Sequence, residues 1–114
     1  MSEIQGDKLR GHLETMVLSV LERGEAHGLE IIQRLEDMGC GLLRLKEGSL
    51  YPALYRLEAA GKVALVREER EPGKRGAPRR VYRLTAKGKR GLAKGREDWA
   101  AFVEIVGSIV GVPT

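Results

Sequence analysis

A hydroxyl, two phenols and a guanidinium fall within eight residues of one stretch, EGSLYPALYRLEAAG from Glu47 to Gly61: Ser49, Tyr51, Tyr55 and Arg56. None of these groups moves protons readily at neutral pH or forms a metal-ligand set. All of them donate hydrogen bonds, which suits a phosphate backbone or a base edge in the major groove. Leu50, Leu54 and Leu57 recur at helical spacing, so the stretch reads as a helix that buries one face and presents the other. Pro52 is expected within its first turn, where a missing N–H costs nothing. The exposed N-terminal end then carries unpaired N–H groups and a partial positive charge, with Lys46 beside it on the adjacent backbone. On these residues alone an ordinary amphipathic core helix fits equally well, and the neighbouring segments decide.

A second group of polar residues lies further on. Lys74, Arg75, Arg79 and Arg80 stand within seven residues in EPGKRGAPRR. They belong to a stretch, Arg67 to Arg96, that holds 12 Lys or Arg against 3 Glu, while the rest of the chain is net acidic. Clustered cations on an otherwise acidic chain point to a polyanion met by one surface, with salt-sensitive phosphate affinity and little base readout. Catalysis is disfavoured. There are only two histidines and one cysteine, Gly73–Gly76 lacks the strand-to-helix context of a phosphate loop, and no paired carboxylates mark a site. A single cysteine, Cys40, permits no intrachain disulfide and no multi-cysteine metal site, so no metal or cofactor is expected. His27 is read as a bond to the backbone at a helix start. No apolar segment approaches bilayer length, which gives the expectation of a cytoplasmic protein without a membrane partner.

The elements that must position these groups follow from periodicity. Met1 to Gly6 has no pattern and reads as an unstructured lead. From Asp7, the residues Leu9, Leu13, Met16, Val17, Val20 and Leu21 form one stripe that stops at Gly24. After the turn GEAHG, Leu29, Ile32 and Leu35 face inward on a second helix, with Ile31 flanking. GLLRLKEG reads as an extended connector or short edge strand leading into the Glu47 helix. Val63, Leu65 and Arg67 alternate along a strand, Val81 to Leu84 form another, and the cationic segment is the tip between them. Thr85 caps a long last helix whose apolar stripe includes Leu92, Trp99, Phe102, Val103 and Val106. Gly88, Gly91 and Gly95 weaken its first half by up to about 1 kcal/mol each, so that half needs close packing to stay ordered.

The order helix, helix, helix, hairpin, helix defines the expected fold class: mainly α with a small β-hairpin, a winged helix-turn-helix over residues 7–84 and a C-terminal dimerisation helix over residues 85–111. Such an apolar last helix needs a partner, and a twofold copy of the chain meeting it through the first and last helices is the expected solution. The expected interface holds Leu9, Leu13, Trp99, Phe102, Val103 and Val106.

Leu9-Arg10-Gly11, Ala26-His27-Gly28-Leu29-Glu30-Ile31, Glu47-Gly48-Ser49-Leu50-Tyr51-Pro52-Ala53-Leu54 with Arg56-Leu57-Glu58, and Tyr82-Arg83-Leu84-Thr85 with Gly88 together resemble the PadR family of phenolic-acid-responsive bacterial transcriptional regulators. The resemblance spans roughly Leu9 to Phe102 and favours the small subfamily with a single C-terminal helix. It implies a homodimer that binds pseudopalindromic double-stranded DNA as a repressor and changes grip on binding a small effector. It also implies that Trp99 faces a flat apolar cavity for planar aromatic compounds. Leu29 departs from the family pattern, which often has tyrosine there, and the glycine-rich start of the last helix is a second departure. The alternative is a winged-helix module that binds protein or RNA without effector-controlled transcription.

Overall fold

Leu13, Val17, Leu18, Val20 and Leu21 are all buried, and their spacing is what makes α1 (Leu13–Glu22) a helix with one face in the core. The computed structural model describes residues 4–5, 12–40, 43–70, 72–73 and 75–111; the expected helical lead from Asp7 to Gly11, with Leu9, lies outside them. Arg23 closes α1, and Gly24 takes a φ of +144°, a conformation that favours glycine.

The segment read as a plain turn holds a strand. Ala26–His27 (β2) pairs antiparallel with the later strand β5 (Arg79–Leu84), Ala26 opposite Tyr82 and His27 opposite Val81. A two-residue strand has no period to read, so the expected two-stranded hairpin becomes a three-stranded sheet in the order β2-β5-β4, where β4 is Val63–Glu69. His27 ends β2 and caps α2 (Gly28–Met38): its Nδ1 accepts from the Glu30 N–H at 3.3 Å, and its own N–H donates to Glu30 Oε1 at 3.2 Å. The backbone role expected of His27 is therefore met. Ile31 and Leu35 are the buried pair of α2, whereas Leu29 is 44% exposed, which corrects its inward assignment. Leu29 lies two residues before Ile31, about 200° around a helix of 3.6 residues per turn, so both cannot face the core.

Leu43–Arg44 (β3) is the short strand expected in GLLRLKEG, and it pairs in parallel with Ile4–Gln5 (β1). At those two residues the expectation of an unstructured lead is corrected. Then α3 (Glu47–Ala59) buries Leu50, Ala53, Leu54 and Leu57 completely or nearly so. Pro52 is its sixth residue, one turn later than expected, and leaves the Gly48 carbonyl without its usual donor. Gly48 is exposed with open space around it, so water can take that place.

The β4–β5 ladder runs from Val63 opposite Leu84 to Glu69 opposite Arg79, with a shift between Leu65 and Arg67. Only Val63 of β4 is buried, because β4 is an edge strand that projects past the helices. Thr85 accepts from the Gly88 N–H at 3.0 Å and donates to the Gly61 carbonyl at 2.7 Å, so it both caps α4 (Ala86–Val110) and ties it to the α3–β4 turn. The glycines in the first half of α4 are packing sites, as their sequence position suggested. A β-carbon at Gly88 would overlap the Lys62 carbonyl oxygen, and one at Gly95 would overlap the Thr15 hydroxyl on α1.

Candidate nucleic-acid interface

The outward face of α3 is set by its four buried residues. Ser49 is half-buried near the N-terminus, Lys46 is exposed at the N-cap position without capping the helix through its side chain, and Tyr55 is 52% exposed. Tyr51 lies half-buried between them, its ring 6.1 Å from that of Tyr55 at a tilt of 33°. Burial, followed by the Glu47 carboxylate, pushes the Tyr51 phenol above its ordinary pKa, so it stays a hydrogen-bond donor at neutral pH. Arg56 is exposed and reaches Glu14 of α1 across 3.6 Å.

The β4–β5 wing meets this face. Arg79 and Arg80, with Pro78 and Tyr82, line one side of a groove of about 400 Å³, and Tyr51, Tyr55, Glu47 and the start of α2 line the other. The fold therefore brings Tyr51, Tyr55, Arg79 and Arg80 together, although Tyr51 and Arg80 are far apart in the chain. Arg75 is exposed at the tip, where Arg70 donates to the Gly76 carbonyl at 2.6 Å and closes the turn. Lys74 lies outside the described residues.

Arg80 is more engaged than its place in a cationic loop suggested. Its Nε donates to the Tyr82 hydroxyl at 3.0 Å, and its terminal nitrogens lie 3.4 Å from Glu58 on α3 and 3.8 Å from Glu68 on β4. The Tyr82 ring beneath it is buried, and burial raises the phenol's pKa. Arg67 similarly pairs with Glu25, in the loop before β2, and with Glu69. Tyr82, Glu58 and Arg67 were missed as parts of this surface: Glu58 and Arg67 act through partners distant in sequence, and Tyr82 acts through Arg80, two residues before it on the same strand.

A second concavity, about 420 Å³ and mostly apolar, lies between α1 and α4 and is lined by His12, Thr15, Met16, Leu92, Gly95 and Trp99. The Trp99 and Phe102 rings stack with centroids 5.7 Å apart, and the His12 ring meets Trp99 edge-on at 4.9 Å. Trp99, Phe102, Val103 and Val106 are all exposed in the single chain. Leu13 is not among them: at 4% exposure it belongs to the chain's own core, because the stripe of α1 that carries it turns inward. Leu9 lies outside the described residues. Arg96 donates to Glu22 at 2.8 Å beside the cleft, and this bond holds the Glu22 carboxyl below its ordinary pKa.

Among the described residues no cluster of three or more His, Cys, Asp or Glu side chains could hold a metal ion, and no helix is long and apolar enough to cross a membrane. Cys40 is exposed, with a left-handed φ of 56° after α2.

Comparison with known proteins gives a consistent assignment. The Transcriptional regulator PadR-like family matches residues 17–94. The chain is 37% identical over 111 residues to the transcriptional regulator Rv3488 of Mycobacterium tuberculosis, covering 97% of this chain and 91% of that one. Among solved structures, a transcriptional regulator from Clostridium thermocellum superimposes with a TM-score of 0.81 at 29% identity, covering 91% of this chain and 98% of that one. A PadR family transcriptional regulator from Eggerthella lenta gives 0.76 at 32% identity, covering 93% and 88%. With the winged-helix fold, the family match and the full-length relative in agreement, this chain belongs to the PadR-like family and is a transcriptional regulator, not an enzyme.

Proposed function

We propose that the protein is a repressor that binds a pseudopalindromic operator as a homodimer and is released by a planar aromatic compound. In this reading α3 enters the major groove, Ser49, Tyr51, Tyr55 and Arg56 meet DNA from the helix, and Lys46 meets the adjacent backbone. Lys74, Arg75, Arg79 and Arg80 on the wing supply phosphate affinity. The observation that carries the reading is the shared groove: Tyr51 and Tyr55 of α3 face Arg79 and Arg80 of the wing across it. Base-reading donors and phosphate-binding cations are thereby presented on one side of the chain.

Support for a dimer comes from the distal half of α4. Trp99, Phe102, Val103, Val106, Ile109 and Val110 are exposed on one helix, an apolar surface that a soluble monomer seldom leaves open and that a second α4 would cover. Two recognition helices must then stand about 34 to 36 Å apart to enter successive major grooves. A flat compound wedged beside Trp99 releases DNA if it binds better to a dimer with a different spacing.

The test is a mobility shift with the duplex immediately upstream of the protein's own gene against a scrambled duplex, at several salt concentrations, with and without a panel of planar aromatic compounds. Preferential, salt-sensitive binding that one compound reverses is the expected result. Equal binding to both duplexes at every salt concentration refutes recognition of that operator. Binding that no compound disturbs refutes aromatic control.

A further inference from the structure

Gly28 is the first residue of α2, and nothing about its backbone requires glycine. Its φ lies outside the left-handed range, the cap of the helix is His27 and not Gly28, and glycine is a poorer helix former than alanine. What singles the position out is space. A β-carbon there would lie 2.5 Å from the Tyr51 hydroxyl oxygen and 2.7 Å from both Cε1 and Cζ of the same ring, where real β-carbons essentially never come within 3.0 Å of a neighbour. The end of the Tyr51 ring thus lies directly on the Gly28 Cα. Its other neighbours are Tyr55 on the same helix and the groove shared with Arg79 and Arg80.

We infer that Gly28 is a positioning residue for Tyr51: the missing β-carbon seats the phenol against α2 and so fixes where its hydroxyl meets DNA. The inference rests on the reading of Tyr51 as a DNA contact. The contact links the two helices of the helix-turn-helix, so the start of α2 sets the aim of a side chain on α3. Because the overlap involves the far end of a half-exposed side chain, a methyl group at residue 28 can be accommodated by swinging the ring outward. The fold survives such a change, but the hydroxyl is moved.

Two measurements test this. In the first, the ring resonances of isotope-labelled tyrosine are recorded without DNA in the parent protein and in Gly28→Ala, with Tyr51 assigned through Tyr51→Phe. The Tyr51 signals should shift by more than those of Tyr55 and Tyr82; an unmoved Tyr51 ring in a folded Gly28→Ala protein overturns the inference whatever DNA does. The second is a double-mutant cycle on affinity for the duplex upstream of the protein's own gene, with Gly28→Ala, Tyr51→Ala and the pair. Gly28→Ala should cost roughly tenfold in the parent and nothing further in the Tyr51→Ala background. Equal losses in both backgrounds overturn the coupling. An unchanged affinity for Tyr51→Ala overturns instead the DNA role of Tyr51, and the ring resonances tell that failure from the first. If Gly28→Ala does not fold, recovery of folding in the pair supports the contact, and failure of the pair to fold overturns it.

Discussion

Gly88→Ala replaces a glycine in a helix by the best helix former, a change that on propensity alone adds up to about 1 kcal/mol of stability. The structure reverses that sign. The new β-carbon would overlap the Lys62 carbonyl oxygen and stand 2.6 Å from Leu84 Cδ1, and backbone cannot swing aside as a side-chain end can. The start of α4 must retreat, which strains the Thr85 N–H bond to the Lys62 carbonyl and the Thr85 cap on Gly88. Overpacking of this kind costs about 1–3 kcal/mol, and a weakened cap about 1 kcal/mol more. Against the propensity gain the net loss is about 2 kcal/mol, or roughly 10 °C in Tm for a chain of this size. Thermal melts followed by circular dichroism at one protein concentration measure it, with Gly48→Ala as the control. Gly48 has open space around it and should change Tm little or raise it. A Gly88→Ala protein at least as stable as the parent would refute the packing argument for the glycines of α4.

Four further predictions concern the charged and aromatic surfaces. The Arg96 bond lowers the Glu22 pKa below its ordinary 4.5, so its contribution to stability is present above the unfolded value and is lost as pH falls through the folded one; the Tm difference between Glu22→Gln and the parent should shrink as the pH drops below 4.5. Arg75→Ala should reduce the slope of log affinity against log salt concentration by about 1 while sparing the operator-to-scrambled ratio. Arg80→Ala should weaken binding to every duplex more than Arg75→Ala does, because it leaves Glu58 and Glu68 uncompensated beside the groove; titrations of both variants decide it. Trp99→Ala should blunt release by aromatic compounds while sparing operator affinity, and equal loss of both, read with sedimentation of the dimer, would assign Trp99 to structure alone.

What could be read in the sequence was whatever repeats along one element. The apolar faces of α1 and α3, the Thr85 cap and the close-packed glycines of α4 each follow from spacing or residue type within a single segment. The fold class follows from their order. Features built by meetings between distant segments could not be read. β2 is two residues long and exists only because β5 lies beside it. Ile31 displaces Leu29 from the core because the β2 pairing fixes where α2 begins. Arg80 reads as one more wing cation until Glu58, on α3, is found next to it. The contact between Gly28 and Tyr51 left a trace, a glycine at a helix start that needs none, but only the packing says what it faces.

The central claim is that α3 and the wing form the DNA-binding face, and amide hydrogen exchange of the protein with and without the duplex upstream of its own gene tests it most directly. Added protection should concentrate in the first half of α3 and along Arg79–Leu84, with α4 beyond Trp99 unchanged because a second α4 already covers it in the proposed dimer. Protection gained on α4 while α3 exchanges as before would contradict the account.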